Sequence, residues 1–189
     1  DATAEELAEP LCNSGLMAVR SEHLGPWLKA LRNDNAAGEY YLPDIVMLPG
    51  QASAVIEVGD PMEVTGVNSR AELAALEEAW QQRRRAAAMA DGVTLIAPHT
   101  VWFSHDTALA RDVTVEPNVW FGPGAKVAEG ATIRAFSHIE GADVGPRCEV
   151  GPYARLRPGA VLEEKAKVGN FVEVKKARLG RGAKANHLT

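Results

Sequence analysis

Arg157 and Lys175 stand eighteen positions apart, each directly after an apolar residue, in a stretch where apolar side chains recur every six positions. If three hexads close one turn of a coiled backbone, the two cations sit on adjacent turns about 4.8 Å apart. Like charges that close repel unless an anion lies between them or their rotamers turn to solvent. A phosphate group meets the first condition, with arginine offering a fork that matches its oxygens and lysine a point charge. Two solvated side chains meet the second, and spacing alone leaves both open. His187 follows in Lys184-Ala185-Asn186-His187-Leu188-Thr189. An imidazole of ordinary pKa near 6.5 could take the proton from an amine that attacks an acyl carbon; a polar surface histidine is the alternative, and it is the reading for His23, His99, His105 and His138. Asn13 lies in Asn13-Ser14-Gly15, where glycine admits a ligand or another backbone. Asn68 lies directly before a helix start, where its carbonyl could meet a hard cation while backbone donors favour phosphate, or where it could simply close a turn.

Three kinds of element must hold these residues. From about Val93 the sequence is periodic: Val115, Phe121, Val127, Ile133 and Ile139, then Val144 to Val174 in steps of six, then Leu179 and Ala185. Two five-residue steps interrupt the pattern. Two positions before each of these stands a small or β-branched residue, Cys148 among them. Large residues stacking inside and small ones at the bends are the signature of a hexapeptide parallel β-helix. Upstream, Ser69 and Glu72 form a capping box for a helix that Asp91-Gly92 stops. At 1.5 Å per residue about twenty residues span roughly 30 Å, the length of a spacer. Its Arg83-Arg84-Arg85 run reads as a solvated face rather than a nucleic-acid patch. Residues 1–68 read as mixed α/β: strands at Leu11–Val19 and Ser53–Val58, a helix carrying Leu24, Trp27, Leu28 and Leu31, and no complete core. That segment reads as the tail of a larger domain, and the opening Asp1-Ala2-Thr3-Ala4-Glu5-Glu6 lacks an initiator methionine.

In 189 residues, 46% hydrophobic and 24% charged side chains are the balance of a globular protein that buries a core. Twenty basic against twenty-five acidic residues give a net charge of −5, which argues against a duplex-binding stripe. No apolar run is long enough to span a bilayer and no basic, apolar leader opens the chain, so no membrane insertion is expected and the default location is cytoplasmic. Cys12 and Cys148 lack zinc or disulfide spacing and both read as small buried residues.

Several segments together resemble the bacterial bifunctional N-acetylglucosamine-1-phosphate uridyltransferase / glucosamine-1-phosphate N-acetyltransferase family. They are Asn13-Ser14-Gly15, Gly38-Glu39-Tyr40-Tyr41-Leu42-Pro43-Asp44-Ile45, Gly66-Val67-Asn68-Ser69-Arg70, Gly151-Pro152-Tyr153-Ala154-Arg155-Leu156-Arg157-Pro158-Gly159, and Val168 to Gly180 with the histidine segment. The resemblance implies three parts: the C-terminal part of a Rossmann-like nucleotidyltransferase domain over 1–68, a linker helix over 69–92, and the N-terminal part of a left-handed parallel β-helix over 93–189. It implies a homotrimer that acetylates glucosamine-1-phosphate from acetyl-CoA, then joins the product to UMP from UTP with Mg2+. His187 then matches the acetyl-transfer base, Arg157 and Lys175 the sugar-phosphate holders, Asn13 a nucleotide-sugar contact and Asn68 a nucleotide and magnesium ligand. The family's glycine-rich nucleotide loop, magnesium aspartate and sugar-binding glutamate would precede Asp1, and a tyrosine usually follows the histidine motif. The chain is therefore expected to be an internal piece, incomplete for both reactions. Two other readings remain: a different sugar-1-phosphate nucleotidyltransferase with a hexapeptide tail, and a noncatalytic trimeric β-helix scaffold.

Overall fold

A computed structural model describes residues 8, 11–50 and 52–188. The acidic opening before residue 8 and Thr189 lie outside the described residues. Packing divides the chain into two units, residues 1–72 and 73–189.

The second unit is a solenoid of short parallel strands arranged in three sheets. Among the described residues one sheet has six strands, from Thr94–Leu95 to Lys184–His187; one has four, from Trp120–Phe121 to Glu173–Val174; one has five, from Ala108–Leu109 to Arg178–Leu179. Thr94–Leu95 pairs with Thr114–Val115, two strands on, and every later strand pairs with the strand three elements along, so every coil lies on the last. Trp120 pairs with His138 and Arg155 with Glu173, eighteen residues on, whereas His138 pairs with Arg155 and Val161 with Arg178, seventeen on. The two five-residue steps in the sequence thus become two tighter coils with no loss of register.

The core follows the hexad pattern. Val115, Phe121, Ile133, Ile139, Val150, Leu156 and Val168 are fully buried, with Ala131, Ala160 and Ala166 equally buried at the bends. Leu179 and Ala185 are only partly buried, and Ala177 is exposed. Outside the core, side chains of one column stack coil upon coil. Trp102 and Trp120 lie 4.9 Å apart and 6° from parallel. At another corner Phe136, Tyr153 and Phe171 form a ladder with spacings of 4.9 and 5.2 Å.

Helix α1 spans Ser21–Ala30 and helix α2 spans Arg70–Ala90. The Ser69 hydroxyl accepts from the Glu72 N–H at 3.1 Å, and the Glu72 carboxylate accepts from the Asn68 N–H at 2.6 Å. At the other end Gly92, at φ +94°, lets Val93 N–H reach Ala88 C=O and its own N–H reach Met89 C=O, a double closure only a left-handed residue permits.

Beyond its first residues α2 is not a bare spacer, and its arginine run is not simply solvated. Its buried residues are Gln81, Arg85 and Ala88, and of its larger apolar side chains Trp80 packs, partly buried, against the core while Leu73 is exposed. Gln81 is wholly buried; its amide donates to Phe103 C=O at 2.7 Å and accepts from Phe103 N–H at 2.9 Å. Arg85 donates to Val101 C=O, with Glu78 holding its fork, and Arg84 donates to Thr107 C=O. Among the described residues no strand lies beneath the first coil, so its backbone groups would be unpaired. The helix side chains take the place of that missing strand.

In the first unit α1 forms as the periodicity requires, but neither expected strand does. Leu11–Val19 and the described residues of 52–58 are irregular, and Val55 and Ile56 are 81% and 89% exposed. An extended segment without a neighbour to share its ladder does not make a sheet. Short 3-10 turns at Leu42–Met47 and Pro61–Val64 account for the remaining regular structure, and Ile45 is the buried apolar residue there.

Candidate functional site

Arg157 and Lys175 fall in one register. Leu156 pairs with Val174, and Arg157 N–H donates to Val174 C=O at 2.9 Å, which sets Lys175 on the coil above Arg157. The charge between them comes from within the chain. Glu173 accepts from Arg157 Nη1 at 2.9 Å and lies 3.8 Å from Arg155. The Arg157 hydrogen bond, with the charges of Arg157, Arg155 and Lys175, outweighs desolvation and holds the Glu173 carboxyl below its ordinary value. Three cations therefore converge on a single carboxylate, leaving a net positive, solvent-facing cluster suited to an anion. Arg155 and Glu173 were not singled out from the sequence, although the same eighteen-residue register stacks them as an opposite-charge pair.

His138 stands next to this cluster in the outward column of the four-stranded sheet. Burial, followed by the Arg155 charge, pushes its imidazole below the ordinary value, and its ring leans against Trp120 at 6.3 Å. A neutral His138 adds no charge to the cluster.

His187 is held differently. Most strands of the solenoid are two residues long, but Lys167–Asn170 and Lys184–His187 run for four. Their pairing continues to Asn170 opposite His187, and Leu188 N–H donates to Asn170 C=O at 3.3 Å. The imidazole is thus carried on an extension of the six-stranded sheet, exposed to solvent, whereas Arg157 and Lys175 follow strands of the four-stranded sheet. The fold brings the two cations together and sets the histidine on another face.

Asn13 and Asn68 both belong to the first unit. The Asn13 carbonyl accepts from Gly15 N–H at 2.9 Å, a local turn, while Asn68 is exposed beside Glu72 at the start of α2. Among the described residues no three His, Cys, Asp or Glu side chains gather as a metal cluster. A lone amide oxygen does not fill the octahedral shell of magnesium. Cys148 is buried in a bend position, its thiol donating to Glu163 C=O and its pKa raised by burial, but Cys12 is exposed, contrary to its reading as a buried residue.

No family model matches the chain. Curated relatives do: the bifunctional protein GlmU of Sphingopyxis alaskensis is 65% identical over 192 residues, that of Zymomonas mobilis 58% and that of Roseobacter denitrificans 56%. Each match takes in the whole of this chain. Over its whole length the chain is similar to GlmU proteins. It spans 42% of the length of these GlmU relatives. Among the described residues no helix is long and apolar enough to cross a membrane.

Proposed function

We propose that this chain is part of a GlmU enzyme that makes UDP-N-acetylglucosamine. The observation that carries this reading is its end-to-end match to proteins named bifunctional GlmU. In this reading residues 1–68 complete a Rossmann-like nucleotidyltransferase domain, residues 69–92 link it, and residues 93–189 begin a left-handed β-helix. The working assembly is a homotrimer in the cytoplasm, with small-molecule substrates and no nucleic acid.

Acetyl transfer needs an amine made nucleophilic next to a held phosphate. Arg157 and Lys175 bind the phosphate of glucosamine-1-phosphate, with Arg155 adding field. His187 accepts a proton from the neutral amine as its nitrogen attacks the acetyl carbon of acetyl-CoA; a C–N bond forms, the C–S bond breaks and the thiolate departs. The exposed setting of His187 suits a base that must exchange protons with water after each turnover. In the uridylyl reaction Asn13 contacts the N-acetylglucosamine part of the nucleotide sugar, and Asn68 contacts the nucleotide and would lend one oxygen to magnesium. The metal would stabilise charge on the UTP phosphates, and its remaining protein ligands are not among the described residues.

The test is made on the protein at its natural full length. It should acetylate glucosamine-1-phosphate with acetyl-CoA and release pyrophosphate from UTP with N-acetylglucosamine-1-phosphate. A folded protein that does neither removes the reading, and preference for glucose-1-phosphate over the amino sugar would move it to another sugar nucleotidyltransferase.

A further inference from the structure

The extension that carries His187 exists only because of what lies beneath it. Gly169 is buried within the strand Lys167–Asn170, and the coil above approaches it so closely that a β-carbon would fall onto the carbonyl oxygen of Asn186. The Asn186 carbonyl carbon would be 2.7 Å from that β-carbon and its Cα 3.3 Å. These are backbone atoms of the residue before His187, so they cannot yield by a rotamer change. Any side chain at 169 must lift the strand that holds the imidazole.

From this close approach we infer that Gly169 is the positioning residue of His187. The inference rests on the reading of His187 as the acetyl-transfer base. Two features confine the effect to this place. Pairing continues past Gly169 to Asn170 and His187, so the glycine sits inside the extension and not at its margin. The carbonyl of Asn170 then receives the Leu188 N–H, pinning the backbone on the far side of the histidine. His187 is therefore fixed from below at both of its neighbours, Asn186 by contact and Leu188 by a hydrogen bond. Elsewhere glycines meet other demands. Gly145 is also tight, its added β-carbon falling 2.5 Å from Leu162 C=O and 3.0 Å from the Glu163 carbonyl carbon, but no candidate residue rides on that backbone. Gly180 would meet only Glu163 Oε2, at 3.9 Å.

These three glycines provide the experiment, made on the protein at its natural full length with histidine labelled for NMR. Gly169→Ala is expected to displace the His187 imidazole resonance and to lower kcat for acetyl transfer on the order of 10²-fold, with the KM for glucosamine-1-phosphate within about twofold. Gly145→Ala also drives a β-carbon into the backbone of the coil above, less deeply, and should cost stability while leaving the His187 signal in place. Gly180→Ala should change neither. An unmoved His187 signal in Gly169→Ala, or an equal displacement in Gly145→Ala, overturns the inference. Should Gly169→Ala fail to fold, replacing the Leu188 N–H by an ester oxygen, with leucic acid introduced by nonsense suppression, removes the donor that pins the other side and keeps the left-handed φ of +51° there; there too the His187 signal must move, and if it stays the inference falls. If His187→Ala retains full turnover, the base reading is lost, yet the resonance still decides the positioning.

Discussion

The Glu173 carboxylate accepts a hydrogen bond from Arg157 at 2.9 Å, reaching it from the coil above. A resident anion on a cation proposed to bind phosphate is a competitor for that phosphate. Glu173→Gln keeps the shape and removes the charge, so inorganic phosphate should bind several-fold more tightly, read by titration calorimetry. Arg157→Ala should weaken the sugar phosphate by roughly 2 kcal/mol with the uridylyl half unaffected. Equal losses in both halves would signify misfolding, and unchanged phosphate affinity in both variants would place the anion elsewhere.

Removal of the proposed base has a separate signature. His187→Ala should lower acetyl turnover by a factor on the order of 10² to 10⁴ and leave sugar-phosphate binding intact. Single-turnover kinetics alongside equilibrium binding make the distinction, and undiminished turnover takes His187 out of the mechanism.

The cap on the first coil predicts a stability effect. Gln81→Leu fits the space but leaves Phe103 N–H and C=O buried without partners, at a cost of about 1–3 kcal/mol for each group. Denaturant unfolding should show the solenoid less stable while the candidate site, several coils away, keeps its ligand affinity. A neutral substitution would mean that the edge of the first coil is satisfied in another way.

Acid should loosen the last coils first. Glu163 accepts from Arg178 and from Arg181 N–H, and Glu164 is paired with both Arg147 and Arg181. These hydrogen bonds, Arg178 foremost for Glu163 and Arg147 for Glu164, hold both carboxyls below their ordinary 4.5. A carboxyl depressed in the folded state stabilises it fully above the unfolded value, and that contribution is lost as pH falls through the folded one. Between pH 6 and pH 3 hydrogen-exchange protection, taken relative to the intrinsic rate at each pH, should therefore fall in Arg178–Leu179 and Lys184–His187 before it does in Thr114–Val115. A uniform loss of protection along the solenoid would refute the ordering.

How much of this was legible in the sequence depends on the range of the interactions. The solenoid was readable because every hexad poses the same local problem, and Val115 to Val174 solve it with one repeated pattern. Arg157 and Lys175 could be stacked by counting, since no short step falls between them. The grip of Gln81 and Arg85 on Phe103 and Val101 could not, because a polar residue on a helix reads as solvated until the edge it meets is known. The strands expected at Leu11–Val19 and Ser53–Val58 failed for the converse reason: strand-forming residues are a local property, but a ladder requires a neighbour. Gly169 looked like one hexad glycine among several, and its distinction arises from the longer strand lying on it.

The stacked indoles of Trp102 and Trp120 have a use unconnected with catalysis. Two parallel rings 4.9 Å apart share their electronic excitation, whereas Trp27 and Trp80 have no indole neighbour among the described residues. The coupled pair spans the opening coils, immediately beside the segment that α2 covers. It is therefore a native optical reporter at one end of the solenoid, whose signal vanishes when those two coils part, so the end from which the molecule comes undone can be read without attaching a dye.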